Sequence, residues 1–174
     1  RPVRDPHGAG PAAPGYFTRG LENPRDYYYR RVFTDAVRAV DAVRSMPETD
    51  AARIAVSGNS QGGLIAIAAA ALADVAAALP TAPVLCHVRR VIGMTDADPH
   101  AEISRYLAAR RGSEQRVFEA LSYFDGANLA RRATAPALFG CGHHDMIAPP
   151  SGVYAAHNLW GDEASMVDYP WNGH

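Results

Sequence analysis

Arg53-Ile-Ala-Val-Ser-Gly-Asn-Ser-Gln-Gly-Gly-Leu64 carries an apolar-alternating run straight into Gly58-Asn59-Ser60-Gln61-Gly62, and a long Ala-rich run follows. A strand before Gly-x-Ser-x-Gly and a helix after it form the context in which the pattern makes a nucleophile elbow. The serine there sits on a sharp turn that lifts its Oγ above a sheet, at the start of the next helix. Side chains at 58 and 62 are expected to collide with the neighbouring strand and helix, hence the glycines. The competing reading is a plain Gly-Ser turn.

Working outward, the residues before the elbow read as a Gly- and Pro-rich loop over 1–20 and an amphipathic helix over 27–44. Phe33, Ala36, Val37 and Val40 share one face of that helix. Pro47 and Asp50 break the chain before a strand at 53–57. After the elbow helix, about 62–73, Val75–Leu79 is a short apolar run bounded by Asp74 and Pro80. Periodicity does not separate a buried strand there from an extension of the helix. Residues 101–132 read as helical and polar-rich, with Ile103, Tyr106, Leu107, Val117, Phe118 and Leu121 facing inward. A strand at 137–141, a helix after Pro149-Pro150 and a last strand at 165–169 complete the pattern. Strands alternating with helices predict an α/β fold, a parallel sheet with helices on both faces.

With 174 residues the chain suffices for one domain with a sizeable core. A net charge of −1 points to neither nucleic acid nor an anionic membrane surface. All the basic residues are arginine, which looks like coding bias rather than chemistry. Cys86 and Cys141 are too few for a disulfide framework and are expected as buried, reduced thiols. The longest apolar run, Leu64–Ala73, is too short to span a bilayer, and the first residues carry no secretory pattern.

A serine hydroxyl needs an adjacent base, itself oriented by a carboxylate. In the α/β-hydrolase arrangement these arrive in the order Ser, Asp or Glu, His. Asp145 follows the strand at 137–141 and His174 follows that at 165–169, so both belong at the sheet edge where Ser60 lies. His143 and His144 are adjacent, which keeps them from serving one site from extended backbone. As a metal pair with Asp145 they lack the usual ligand spacing, although either could replace His174 as base. His7, His87, His100 and His157 are expected on surfaces or loops. Asp125 rivals Asp145 as the acid but reads better as the cap of a helix beginning near Ala127.

These residues resemble the acetyl xylan esterase and cephalosporin C deacetylase group, carbohydrate esterase family seven. The likeness runs from about Gly15 to His174. It is carried by Thr18-Arg19-Gly20-Leu21, Tyr27-Tyr28-Tyr29-Arg30-Arg31-Val32, Gly58-Asn59-Ser60-Gln61-Gly62-Gly63 and Ala101-Glu102-Ile103. Leu121-Ser122-Tyr123-Phe124-Asp125, Asp145-Met146-Ile147-Ala148-Pro149-Pro150-Ser151 and Gly173-His174 extend it. The resemblance implies Ser60 as nucleophile, Asp145 as acid, His174 as base and the Gln61 backbone N–H as one oxyanion donor. It implies a serine esterase that removes acetyl groups from small acetylated sugars, such as xylo-oligosaccharides, and from cephalosporin C. No metal or organic cofactor is implied. A cytoplasmic location and a homohexamer facing an internal cavity are.

The departures are specific. Nothing from Arg1 to Gly15 reproduces the family's Arg-Gly-Gln motif. His143-His144 replaces a more apolar pair, Ala148 a common cysteine and Gly152 a threonine. The expectation is therefore a single truncated α/β-hydrolase domain over 1–174, with a helical insertion at about 98–132 and the N-terminal strands missing. The loop tyrosine that supplies the second oxyanion donor would be missing too. Alone, such a piece is expected to be weakly active or inactive, with a terminal His174 prone to fray. Two rivals stay open: a dienelactone-hydrolase-like or peptidase-like enzyme, and an inactive remnant kept for oligomer contacts.

Overall fold

A computed structural model of the protein describes residues 15–161 and 163–174. His7 and most of the N-terminal loop expected over 1–20 lie outside the described residues. Four parallel strands, β1 (Ala55–Asn59), β2 (Ala77–Thr81), β3 (Ala137–Gly142) and β4 (Ala164–Tyr169), lie side by side in chain order. Helix α1 (Tyr28–Arg44) precedes β1, and α2 (Gln61–Leu72) joins β1 to β2. Helices α3 (Val88–Val91), α4 (His100–Ala109), α5 (Glu114–Ser122) and α6 (Gly126–Ala130) lie between β2 and β3, and α7 (Pro150–Trp160) joins β3 to β4. The α/β class expected from the sequence is the one observed.

The run left open at 75–79 resolves as strand β2, shifted two residues later and with Pro80 inside it. Pro80 has no N–H for the ladder. The β2–β3 pairing accordingly registers at Ala78 and Thr81, on either side of it. Helix α2 is apolar on all sides because it is buried on all sides. It packs on β1 and β2 below, α1 above and α6 beside it. Its alanines keep those contacts close.

The expectation of helices on both faces is not met among the described residues. Helices α2 and α7 contact the strands, and α6 touches both helices. On the other face Ser57, Leu79, Leu138 and Val167 are exposed. The topology explains this. Right-handed crossovers between parallel strands that step in one direction place every connecting helix on the same face, and only a reversal of strand order would populate the other.

Above α2, the buried rings of Tyr27, Tyr29, Phe33 and Phe124 pack edge-on or tilted, with Phe17 against Tyr29. The Tyr27 hydroxyl donates to the Phe17 carbonyl at 3.0 Å, satisfying the one polar atom that this ring buries. The segment before α1 is thus fastened over the ends of α1 and α6. Both thiols are free and buried, as expected.

Candidate active site

Ser60 follows the last residue of β1 and immediately precedes α2, with φ 58° and ψ −117°. That left-handed conformation costs a non-glycine residue energy and persists only where its surroundings hold it. Here the Ser60 N–H donates to the Thr81 carbonyl at the end of β2 (2.9 Å). Its own carbonyl accepts from Leu64 (3.1 Å) and Val84 (3.3 Å). A Cβ on Gly58 would lie 2.2 Å from the Gly62 carbonyl oxygen, so no side chain fits there. The companion expectation at Gly62 is corrected: a Cβ there meets nothing within 4 Å. The second tight position is Gly63, whose Cβ would lie 2.7 Å from the Thr81 carbonyl oxygen. The reason is direction. Gly62 turns its open side away from the sheet, whereas Gly63, one residue along the helix, faces β2.

Asp145 stands three residues beyond β3 and His174 five beyond β4, so both reach the C-terminal edge where Ser60 sits. His174 Nε2 lies 2.7 Å from Ser60 Oγ, and His174 Nδ1 lies 2.7 Å from Asp145 Oδ2. A carboxylate only accepts, so Nδ1 carries the proton and Nε2 is left to accept from the serine hydroxyl. The Asp145 side chain is 1% exposed. Its other oxygen, Oδ1, accepts from the Ile147 and Ala148 N–H groups, both at 2.8 Å. Each such bond to a charged acceptor is about twice as strong as a neutral one, which offsets the burial of the charge.

The fraying expected of a terminal histidine is opposed by specific ties. The His144 N–H donates to the Asn172 carbonyl at 2.9 Å. Gly142 lets the tail pass close, since a Cβ there would sit 2.5 Å from the Gly173 carbonyl oxygen.

Gln61 is the first residue of α2, where backbone N–H groups have no intrahelical acceptor. Its side-chain amide donates to the Tyr29 hydroxyl at 2.9 Å. That anchors the residue and leaves its backbone N–H beside Ser60. Burial, more than any neighbour, pushes the Tyr29 hydroxyl well above its ordinary range, so it stays neutral.

The rival groups go elsewhere. His143 Nε2 meets Asp168 at 2.9 Å, and His144 stacks on Trp171. Neither side chain is hydrogen-bonded to Ser60 or to Asp145. Asp125 caps α6 as expected, accepting from Ala127 N–H at 2.9 Å. It also accepts from His87 and Val88 N–H, both at 2.7 Å, which ties the start of α3 to the start of α6. His87 is exposed, but the surface placement expected for His100 is wrong. His100 is 1% exposed. Its signal was present in the sequence: His100, Ile103 and Leu107 share one helical face, at i, i+3 and i+7.

A sequence profile of the acetyl xylan esterase family matches residues 4–174. The chain belongs to that family. The acetyl xylan esterase from Paenibacillus sp. R4 is 39% identical and superposes with a TM-score of 0.92 over 96% of this chain. Acetyl xylan esterase 1 from Thermoanaerobacterium sp. JW/SL YS485 is 34% identical, with a TM-score of 0.91 over 98% of it. Acetyl esterase Axe7A of Xylanibacter ruminicola is 30% identical over 162 residues, 92% of this chain. The chain spans 54% and 56% of the two solved esterases and 36% of Axe7A. Membership fixes the α/β-hydrolase fold, in which the elbow before α2 and the loops after β3 and β4 form one rim.

Proposed function

We propose that the protein is a serine esterase that removes acetyl groups from small acetylated carbohydrates, acetylated xylo-oligosaccharides first and cephalosporin C as a further substrate. The observation that carries this reading is the continuous hydrogen-bonded series from Ser60 Oγ through His174 to the buried Asp145 carboxylate. Support for the acetyl group comes from relatives named as acetyl xylan and acetyl esterases.

The chemistry runs in two halves. Ser60 Oγ attacks the acetyl carbonyl while His174 Nε2 takes the hydroxyl proton. The carbonyl oxygen gains the negative charge, and the Gln61 N–H, at the positive end of α2, stabilises it. The C–O bond to the sugar then breaks, and the sugar oxygen leaves with the proton from Nε2. Water repeats the sequence on the acetyl-enzyme, with acetate leaving and Ser60 restored. Asp145 keeps His174 in the Nδ1–H tautomer and stabilises the imidazolium formed in each half.

The test is hydrolysis of p-nitrophenyl acetate and acetylated xylo-oligosaccharides, with fluorophosphonate labelling alongside. Ser60→Ala should lose both turnover and the label. Hydrolysis that survives this substitution, or a label carried at another residue, would remove the reading. A homohexameric, cytoplasmic state is proposed on the family resemblance alone, and sedimentation velocity of the purified protein checks the assembly.

A further inference from the structure

Among the described residues, the triad does not use one buried histidine. His100, the first residue of α4, is 1% exposed and walled by the edge of Phe17. Both ring nitrogens are used. Nδ1 lies 2.9 Å from the Ile147 carbonyl, and Nε2 receives the Leu85 N–H at 3.2 Å. A carbonyl only accepts and a backbone N–H only donates. The ring is therefore the neutral Nδ1–H tautomer.

Its two partners belong to the two halves of the site. Ile147 is the residue whose N–H holds Asp145 Oδ1. Leu85 follows Val84, whose N–H holds the Ser60 carbonyl. We propose that His100 is a positioning residue for the acid of the triad: it locks the Asp145–Ala148 turn to the Val84–Leu85 segment that braces the nucleophile. A closed series of contacts then runs from the Ser60 backbone through Leu85, His100 and Ile147 to the Asp145 carboxylate. The Thr95 hydroxyl, which donates to the Met146 carbonyl, is a second strut on the same turn. His100 cannot touch substrate, because it is buried. Burial, outweighing the bond to Ile147 and the nearby Asp145 charge, lowers its pKa to about 4, so it keeps this tautomer at neutral pH.

The inference rests on the esterase reading, and the experiment separates the two. In the full chain, His100→Phe keeps a flat aromatic ring, slightly larger, and removes both bonds, whereas His100→Asn keeps a donor for Ile147. Displacing a catalytic group by about 1 Å costs roughly 100-fold. His100→Phe should therefore lower kcat on p-nitrophenyl acetate by about 10- to 100-fold with KM within about twofold. It should also weaken the downfield proton resonance of the His174–Asp145 bond, and His100→Asn should restore most of kcat. Should His100→Phe not fold, His100→Gln takes its place. Its amide falls near the Nε2 position and serves Leu85 but not Ile147, so equal kcat in the Gln and Asn variants overturns the proposal. A folded His100→Phe with wild-type kcat and an unchanged resonance overturns it as well. Ser60→Ala is run in parallel: retained hydrolysis there defeats the esterase reading itself.

Discussion

Gly58 and Gly62 look equivalent in the motif and are not equivalent in space. A methyl group at 58 would meet the backbone of residue 62 at 2.2 Å, whereas at 62 it meets open space. Gly58→Ala must therefore shift the elbow. It should lower unfolding free energy by about 1–3 kcal/mol, the usual cost of overpacking, and reduce turnover with it. Gly62→Ala should be neutral or stabilising by up to about 1 kcal/mol, since alanine is the better helix former. Urea denaturation of the two variants decides the matter, and equal destabilisation would contradict the geometry. His100 adds a pH signature. Its ordinary pKa of 6.5 falls to about 4 on folding, so between those values the unfolded chain holds a proton that the folded one lacks. The contribution is fully present above about pH 6.5 and lost as pH falls towards 4, at most roughly 3 kcal/mol. Denaturation at a series of pH values should show wild type losing more stability over that window than His100→Asn. Parallel curves would count against it.

Among elements, α3 and α6, the two shortest helices between β2 and β3, depend on one carboxylate. Asp125 accepts three N–H groups, from His87, Val88 and Ala127, across two helix starts. Such short helices have little stability of their own, because nucleation consumes most of what a few internal hydrogen bonds return. Asp125→Ala would strand those donors. The expected loss is about 2–4 kcal/mol, read from chemical denaturation, with faster amide exchange at Val88 and Ala127. A loss below about 0.5 kcal/mol would show that water replaces the carboxylate freely. Helix α2 was readable in advance from its apolar run, and α1 from its periodicity. The α3 turn was not: four residues carry too little pattern, and its start is held by a residue 37 positions away.

Across the described sheet, Leu79, Leu138 and Val167 form an exposed apolar row on the face without helices, and β1 runs along one edge. Bare apolar sheet faces and open strand edges promote association. The 174-residue chain should self-associate with rising concentration and bind an apolar dye. Leu138→Lys combined with Val167→Lys should weaken both effects without altering the near-ultraviolet circular dichroism. Sedimentation velocity provides the check, and association unchanged by the paired substitution would place the contact elsewhere. This one-sided covering was not anticipated from the sequence. Alternating strands and helices announce a parallel sheet, but the face each helix takes follows from strand order.

Local placement was legible before any coordinates: an elbow serine between strand and helix, and an acid and a histidine each just past a later strand. Chain order and strand ends suffice for that, because parallel strands deliver their C-terminal loops to one edge. What folding alone decided were the contacts between segments far apart in the chain. His100 became an interior residue only because α4 brings it between Leu85 and Ile147, and Gly63 rather than Gly62 became the tight position because of where β2 ends. Those outcomes depend on distances between elements, which no pattern along a single segment contains.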